Sequence, residues 1–286
     1  MRFLLFLLSA IVLASCEKAI IDFAEDTANG NLIVSAHVND QGSMGSWQST
    51  KSTRPLSELC TRISYVLYQE GKRVKYVNQK QGDETFGSAR ISVPPGQYGL
   101  LIIGHSGESS ATTTNLSKIT FSSKVTDTFA NYQEIDLTDE PQSVNTLLTR
   151  TVAMVRLNIT GDIPGYASML KFYYTGGSSS LDGVSLRGCV DSRQTEYREA
   201  STTQKTYDIF TFPHETDDML QITITAYDAE GNEVMARQFS DVPVSVNRIT
   251  NISCDYFDGS SGAFVSVSTT TMADDTWAGT IDYTGE

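Results

Sequence analysis

Hydrophobic positions along this chain form one continuous run and then a long series of short alternations. The run is "FLLFLLSAIVLA", residues 3–14, directly behind Arg2. It is too short for a membrane-spanning helix, which needs about 20 apolar residues. A basic start, an apolar middle and the small residues Ala14 and Ser15 predict a secretory signal. Beyond it, Leu32, Val34, Ala36 and Val38 alternate with Ile33, Ser35 and His37, the period-two pattern of a half-buried strand. A polar Ser- and Gly-rich loop follows from Asn39 to Pro55. Ile63, Tyr65 and Leu67 then alternate against Ser64, Val66 and Tyr68. Glu70-Gly71-Lys72 turns the chain and Val74 to Val77 returns, which predicts a hairpin.

Pro94 and Pro95 end one strand, Gly96 permits a turn, and Tyr98 to Ile103 makes a β-rich run. Residues 118–121 and 132–137 predict two short strands. In the second half, Val155, Leu157 and Ile159 alternate, and 169–176, 206–212 and 219–228 read as strands. Leu220, Ile222, Ile224 and Ala226 share one face of the last of these. "AEGN" at 229–232 turns it into Val234 to Phe239. Residues 243–257 predict another strand, and "GAFVSVST" and "WAGTIDY" finish the chain. No stretch sustains a helical period; 55–60 is expected to form a single turn. The clusters "GGSSS" at 176–180 and "GSSG" at 259–262 read as flexible turns.

Strands about every ten residues with polar turns predict an all-β chain built from sandwiches. The 286 residues, 40% of them hydrophobic, suffice for two domains with buried cores. The polar, proline-containing stretch 137–143 marks the boundary. The expected organisation is a signal peptide over 1–15, a tether over 16–30, an N-terminal β-sandwich over 31–140 and a C-terminal β-sandwich over 141–286.

Charge and cysteine usage narrow the function. Asp and Glu number 34 against 21 Lys and Arg, for a net charge of −13. That argues against nucleic-acid binding, which needs clustered cations, and against docking the protein body on anionic lipid. The four cysteines are Cys16, Cys60, Cys189 and Cys254, with no C-x-x-C spacing, so a metal ribbon or redox site has no support. Cys189 and Cys254 could bridge in an oxidising compartment; buried free thiols are the alternative. His37, His105 and His214 lie far apart in the chain, and no G-x-S-x-G elbow, phosphate loop or H-E-x-x-H helix occurs. The acidic pairs in 216–218 and 273–275 lack the spacing of a calcium loop and read as solvated turns. Trp277 reads as core packing. No catalytic residue, metal ligand or cofactor site follows.

The remaining question is Cys16, immediately behind the signal. Leu13-Ala14-Ser15-Cys16 resembles the bacterial lipobox, which implies cleavage between Ser15 and Cys16 and acylation at Cys16. Several acyl chains, at about 0.8 kcal/mol per buried CH₂, make a durable tether where one does not.

The order of segments after it resembles the fimbrillin-associated anchor family of Bacteroidales fimbriae. "LASC", "RPLSELCTRISYVLYQEGKRV", "VPPGQYGLLIIGHS", "LLTRTVAMVRLNITGDIP", "VPVSVNRITNIS" and "TWAGTIDY" carry the resemblance over nearly the whole chain. It implies two transthyretin-like β-sandwich domains in tandem, in an outer-membrane lipoprotein exposed at the cell surface. It implies an anchor or accessory subunit of a fimbria whose partners are fimbrial subunits, joined by β-strand addition. Only Cys16 carries over as a functional position. In stalk subunits of related fimbriae a trypsin-like protease releases the first strand. The only arginine in the loop here, Arg54, is followed by Pro55, so the first strand is expected to stay. Asp26-Thr27-Ala28 resembles a short O-glycosylation motif, which would place a sugar on Thr27. The competing readings are a stalk or tip subunit, and a glycan-binding surface lipoprotein of a nutrient-uptake system with Trp47 as its aromatic platform.

Overall fold

The computed structural model describes residues 30–38, 55–258 and 280–282. In chain order its elements are β1 (Leu32–His37), α1 (Leu56–Leu59), β2 (Arg62–Gln69), β3 (Lys72–Lys80), β4 (Ser88–Ile91), β5 (Gly96–His105), β6 (Ile119–Thr120), β7 (Thr128–Leu137), β8 (Gln142–Leu147) and β9 (Thr149–Arg150). Then come β10 (Ala153–Ile159), β11 (Met169–Thr175), β12 (Ser180–Leu181), β13 (Gln194–Glu199), β14 (Thr206–Thr211), β15 (Asp217–Tyr227), β16 (Glu233–Ser245), β17 (Ile249–Cys254) and β18 (Thr280–Asp282). The described residues are all-β apart from the helical turn α1, expected near residue 55.

The first pair of sheets has strand orders β4-β1-β8 and β3-β2-β5-β7-β9. Leu32 and Val34 of β1 meet Ile63, Tyr65 and Leu67 of β2 and Leu100 and Ile102 of β5 in a closed core. The second pair has orders β14-β10-β17-β18 and β13-β11-β15-β16. Its core holds Leu220, Ile222, Ile224 and Ala226, the predicted face of β15, against Val155, Leu157 and Ile159 of β10. Two pairs of sheets, each around its own core, are the arrangement of tandem β-sandwiches. The sheets change over between β9 and β10, so β8 and β9, beyond residue 140, join the first pair.

Three features depart from the sequence reading. Residues 243–257 are not one strand: β16 runs on to Ser245, and Asn247 at φ +59° turns the chain into β17. Asparagine tolerates the left-handed region that this reversal needs. Gln194–Glu199 forms an edge strand paired to β11 although its sequence, "QTEYRE", carries little apolar pattern. Finally, residues 63–68 of β2 are all buried. Its inward side chains enter the first core, while Val66 and Tyr68 point the other way into a third cluster with Leu101, Ile103, Ile119, Leu181 and Phe212. A strand covered on both faces reads as a continuous hydrophobic run, which is what "ISYVLY" is.

Candidate functional site: the first strand and the joint between the sandwiches

For a chain whose sequence points to strand addition, the first site is β1. It is antiparallel to β4 through Leu32–Ser35 and parallel to β8 through Leu32–His37. Backbone bonds continue past its ends: Gln142 N–H donates to Asn31 O (2.8 Å) and Leu148 N–H to His37 O (2.8 Å). The Asn31 amide extends the pairing, donating to Val93 O (2.9 Å) and accepting from Val93 N–H (3.1 Å). Leu32 and Val34 are fully buried. Adjacent strands lie about 4.8 Å apart, so β1 occupies a slot about 10 Å wide between β4 and β8, floored by the first core. Both edges of β1 are satisfied, and no open edge remains in the middle of this sheet.

The second site is the joint. Arg150, at the end of β9, is 5% exposed. Its Nε and Nη2 donate to the two carboxylate oxygens of Asp127 (2.7 and 3.0 Å), and its Nη1 donates to Asn247 Oδ1 (2.8 Å) in the second sandwich. The guanidinium also lies 4.7 Å from the Phe129 ring centroid. Asn247 N–H in turn donates to Val152 O (2.9 Å). Beside this link, β6 pairs with β12 across the two sandwiches, and Phe121 stacks on Phe212 at 5.4 Å. Burial of apolar surface on this scale couples the two bodies.

"GGSSS", read as a flexible turn, is an ordered part of that joint. Ser178 is fully buried. Its hydroxyl donates to Ser180 O (2.6 Å) and accepts the N–H groups of Ser180 (3.1 Å), Cys189 (3.2 Å) and Val190 (3.2 Å). A Cβ on Gly177 would lie 2.1 Å from Thr211 Oγ1, so only glycine fits there. The segment is small because its backbone is packed close, not because it is loose. Ser178→Ala is expected to lower stability by about 2 kcal/mol, since buried N–H groups lose their acceptor. Urea unfolding of the variant against the parent chain checks it; an unchanged midpoint would contradict the role of the hydroxyl.

The residues considered for chemistry are spread apart. His214 has both ring nitrogens engaged, Nδ1 with Asp218 Oδ2 (2.9 Å) and Nε2 with Val190 O (3.2 Å). Burial pulls its pKa down, but the Asp218 hydrogen bond, the Val190 carbonyl and nearby carboxylates outweigh this and raise it. His105 is 1% exposed; its Nδ1 accepts from Gly107 N–H (3.0 Å), and burial lowers its pKa to about 4. His37 ends β1. Asp217 accepts a hydrogen bond from the Ser245 hydroxyl. Among the described residues, no three His, Cys, Asp or Glu side chains gather as metal ligands. Cys60, Cys189 and Cys254 are free, so no bridge joins Cys189 to Cys254. Burial pushes the thiols of Cys60 and Cys254 up to about 12 and about 11, leaving both unreactive. Ser15, Cys16, Thr27, Trp47, Arg54, Trp277 and the acidic pair at 274–275 lie outside the described residues.

Sequence reasoning missed the joint entirely. The one available signal was the double-faced hydrophobicity of β2 and of "LLII" in β5, which demanded a cover on the second face of the sheet.

No curated protein matches the chain. Among solved structures, a candidate adhesin from Bacteroides ovatus is similar at 12% identity, covering 75% of this chain and 84% of that one, with a TM-score of 0.51. The fimbrial anchor protein Mfa2 from Porphyromonas gingivalis is similar at 11% identity over 72% of this chain and 80% of that one, TM-score 0.42. A fimbrial assembly protein from Parabacteroides distasonis is similar at 12% identity over 78% and 90%, TM-score 0.41. At such identities the first of these bears on fold alone. The model of one family, described as fimbrillin-A associated anchor proteins Mfa1 and Mfa2, matches residues 27–241. That match takes in β1, the joint apart from Asn247 and most of both sandwiches, about three quarters of the chain, and the chain therefore belongs to the family of fimbrillin-A associated anchor proteins.

Proposed function

We propose that this protein is a fimbrial anchor or accessory subunit moored in the outer membrane through acyl chains on Cys16, after cleavage behind Ser15. Family membership makes it a surface anchor or accessory subunit and not an enzyme. The finer reading is a passive scaffold of two transthyretin-like sandwiches that takes neighbouring fimbrial subunits by β-strand addition. The observation that carries it is the place of β1. This strand follows the tether and is hydrogen-bonded on both edges, between β4 and β8. A first strand locked into its own sheet suits a subunit that keeps its lipid. A subunit that lost the strand would instead present the slot between β4 and β8.

Pulling on the fimbria would then load the chain from the sandwiches through β1 into the tether. Strand pairing on both sides resists that load through many backbone bonds at once. The glycan-binding alternative rests on Trp47, outside the described residues, and a stalk role requires release of β1.

Cells fed labelled palmitate are expected to yield a labelled polypeptide, and a Cys16→Ser variant is expected to yield none. Mass spectrometry of the surface protein should find its N-terminus at an acylated Cys16. An N-terminus at Pro55 would assign the protein to the stalk class, and an unlabelled chain would remove the lipid anchor.

A further inference from the structure

On the outer face of the five-stranded sheet, the apolar cover stops short. Side chains there form cross-strand rows. Val66, Leu101 and Tyr132 make one, Tyr68, Gly99 and Glu134 the next, and Gln97 with Asp136 the last. The first row lies under the loop that joins β5 to β7 and packs with Leu116. Beyond Leu116 the face opens into a trough of about 470 Å³, closed on one side by Glu70 and Gly71 of the β2–β3 turn.

Its floor is formed by Gly99 and the ring of Tyr132. A Cβ on Gly99 would sit 2.4 Å from Tyr132 Oη, so the tyrosine reaches across β5 and rests over the glycine backbone. Tyr68, buried beneath the same face, has its hydroxyl donated to Thr113 O (2.6 Å), whereas Tyr98 turns its ring into the first core on the other side of the sheet. The ring face open to the trough is therefore that of the half-buried Tyr132.

Its rim is acidic. Glu70, Glu134 and Asp136 line the trough and no Lys or Arg does. Facing side chains on a sheet commonly pair opposite charges. Here Glu134 faces Gly99 and Asp136 faces Gln97, and the two acids follow each other on one face of β7. The nearest strand is basic, with Lys72, Arg73, Lys75 and Lys80, yet Arg73 turns its guanidinium to Thr113 Oγ1 (3.1 Å) and to the Tyr76 ring (4.3 Å). Three carboxylates around the Tyr132 ring are complementary to a cation, through charge and through the ring quadrupole. An anionic ligand would be repelled, and a neutral one would leave the carboxylates without a partner.

We propose that this trough is a docking site for an arginine- or lysine-bearing segment of a neighbouring polypeptide, whose cationic side chain lies over Tyr132 between Glu70, Glu134 and Asp136. The surface-anchor reading supplies only the setting for such a neighbour; the recognition itself stands on the trough.

The test uses the full chain in detergent with a triarginine peptide and, as its uncharged counterpart of the same shape, tricitrulline. Amide resonances of Gly71, Gly99 and Glu134 are expected to shift with triarginine and not with tricitrulline. The double variant Glu134→Gln/Asp136→Asn, at exposed positions, is expected to weaken binding roughly tenfold, as two exposed ion pairs permit. Tyr132→Leu is expected to weaken it about fivefold through loss of the ring face. Glu199→Gln, on the second sandwich, is expected to change nothing. Equal binding of tricitrulline, shifts spread over the whole acidic surface, or full affinity in the double variant would overturn the proposal. So would binding of neutral oligosaccharides at the same amides with no response to triarginine. Palmitate labelling reads the lipid anchor separately, so either idea can fail while the other stands.

Discussion

Arg150→Met is expected to cost about 3–5 kcal/mol of stability, the usual penalty for removing one partner of a buried ion pair. The guanidinium is almost wholly buried, and its fork satisfies both Asp127 oxygens and Asn247 together. Methionine fills the volume over Phe129 but leaves the Asp127 carboxylate without its cation. Asp127 keeps 24% of its side-chain surface exposed, so water recovers part of the loss and the lower end of the range is expected. Adding Asp127→Asn should restore some stability, because the stranded charge is then gone; a double-mutant cycle in urea measures the coupling. The consequence reaches beyond stability. Arg150 ties the last strand of the first sandwich to the turn after β16, so its loss should let the sandwiches unfold in two steps. Unfolding of the variant in a single transition as steep as that of the parent chain would show that the apolar cluster alone couples the two bodies.

The second large effect is pH-dependent and comes from His105. The ring is buried, its edge packs on Phe121 at 5.2 Å, and its Nε2 has no hydrogen-bond partner. Burial, with the nearby Arg62 charge, lowers the folded pKa to about 4, against an ordinary value of 6.5. Below pH 6.5 the unfolded chain takes up a proton that the folded chain refuses. Stability from this group is therefore fully present above about pH 6.5 and is lost as pH falls toward 4, by about 3 kcal/mol in all. His214 acts in the opposite sense: its raised pKa adds stability in acid, which is lost as pH rises through the folded value. The comparison that isolates His105 is His105→Gln, whose amide oxygen can still accept from Gly107 N–H. The variant should lose less stability than the parent between pH 7 and about 4.5. Parallel pH profiles would mean that the histidine is not held neutral in the fold.

Both effects concern the joint and the sheet beneath it, and that fits the mechanical demand on an anchor. A scaffold under tension fails at its weakest connection. Here β1 is paired along both edges, and the sandwiches share a core, a two-stranded sheet and a buried arginine. The lipid anchor proposed at Cys16 would need several acyl chains for a lasting hold.

The strands themselves were largely legible in the sequence. Alternation located β1, β2, β10 and β15 because side-chain direction repeats every two residues, a property of each strand alone, and β-rich runs located β5 and β11. Turn chemistry was equally local: Glu70 and Gly71 both take positive φ, as the hairpin pattern demanded. β13 escaped because an edge strand buries little of one face, so "QTEYRE" needs few apolar residues. The candidate trough escaped for a different reason. Tyr132, Glu134 and Asp136 are ordinary strand residues until Gly99 and Glu70 come to lie beside them.

By itself, then, the sequence determined the all-β class, the net negative charge and the inward faces of β1, β10 and β15, since these depend on composition or on neighbours a few residues apart. Tertiary structure alone decided that β1 lies parallel to β8, that "GGSSS" is a packed joint and that Arg150 meets Asp127 and Asn247. Those outcomes depend on closing long loops and excluding water between distant segments, and no local pattern records which segments will meet.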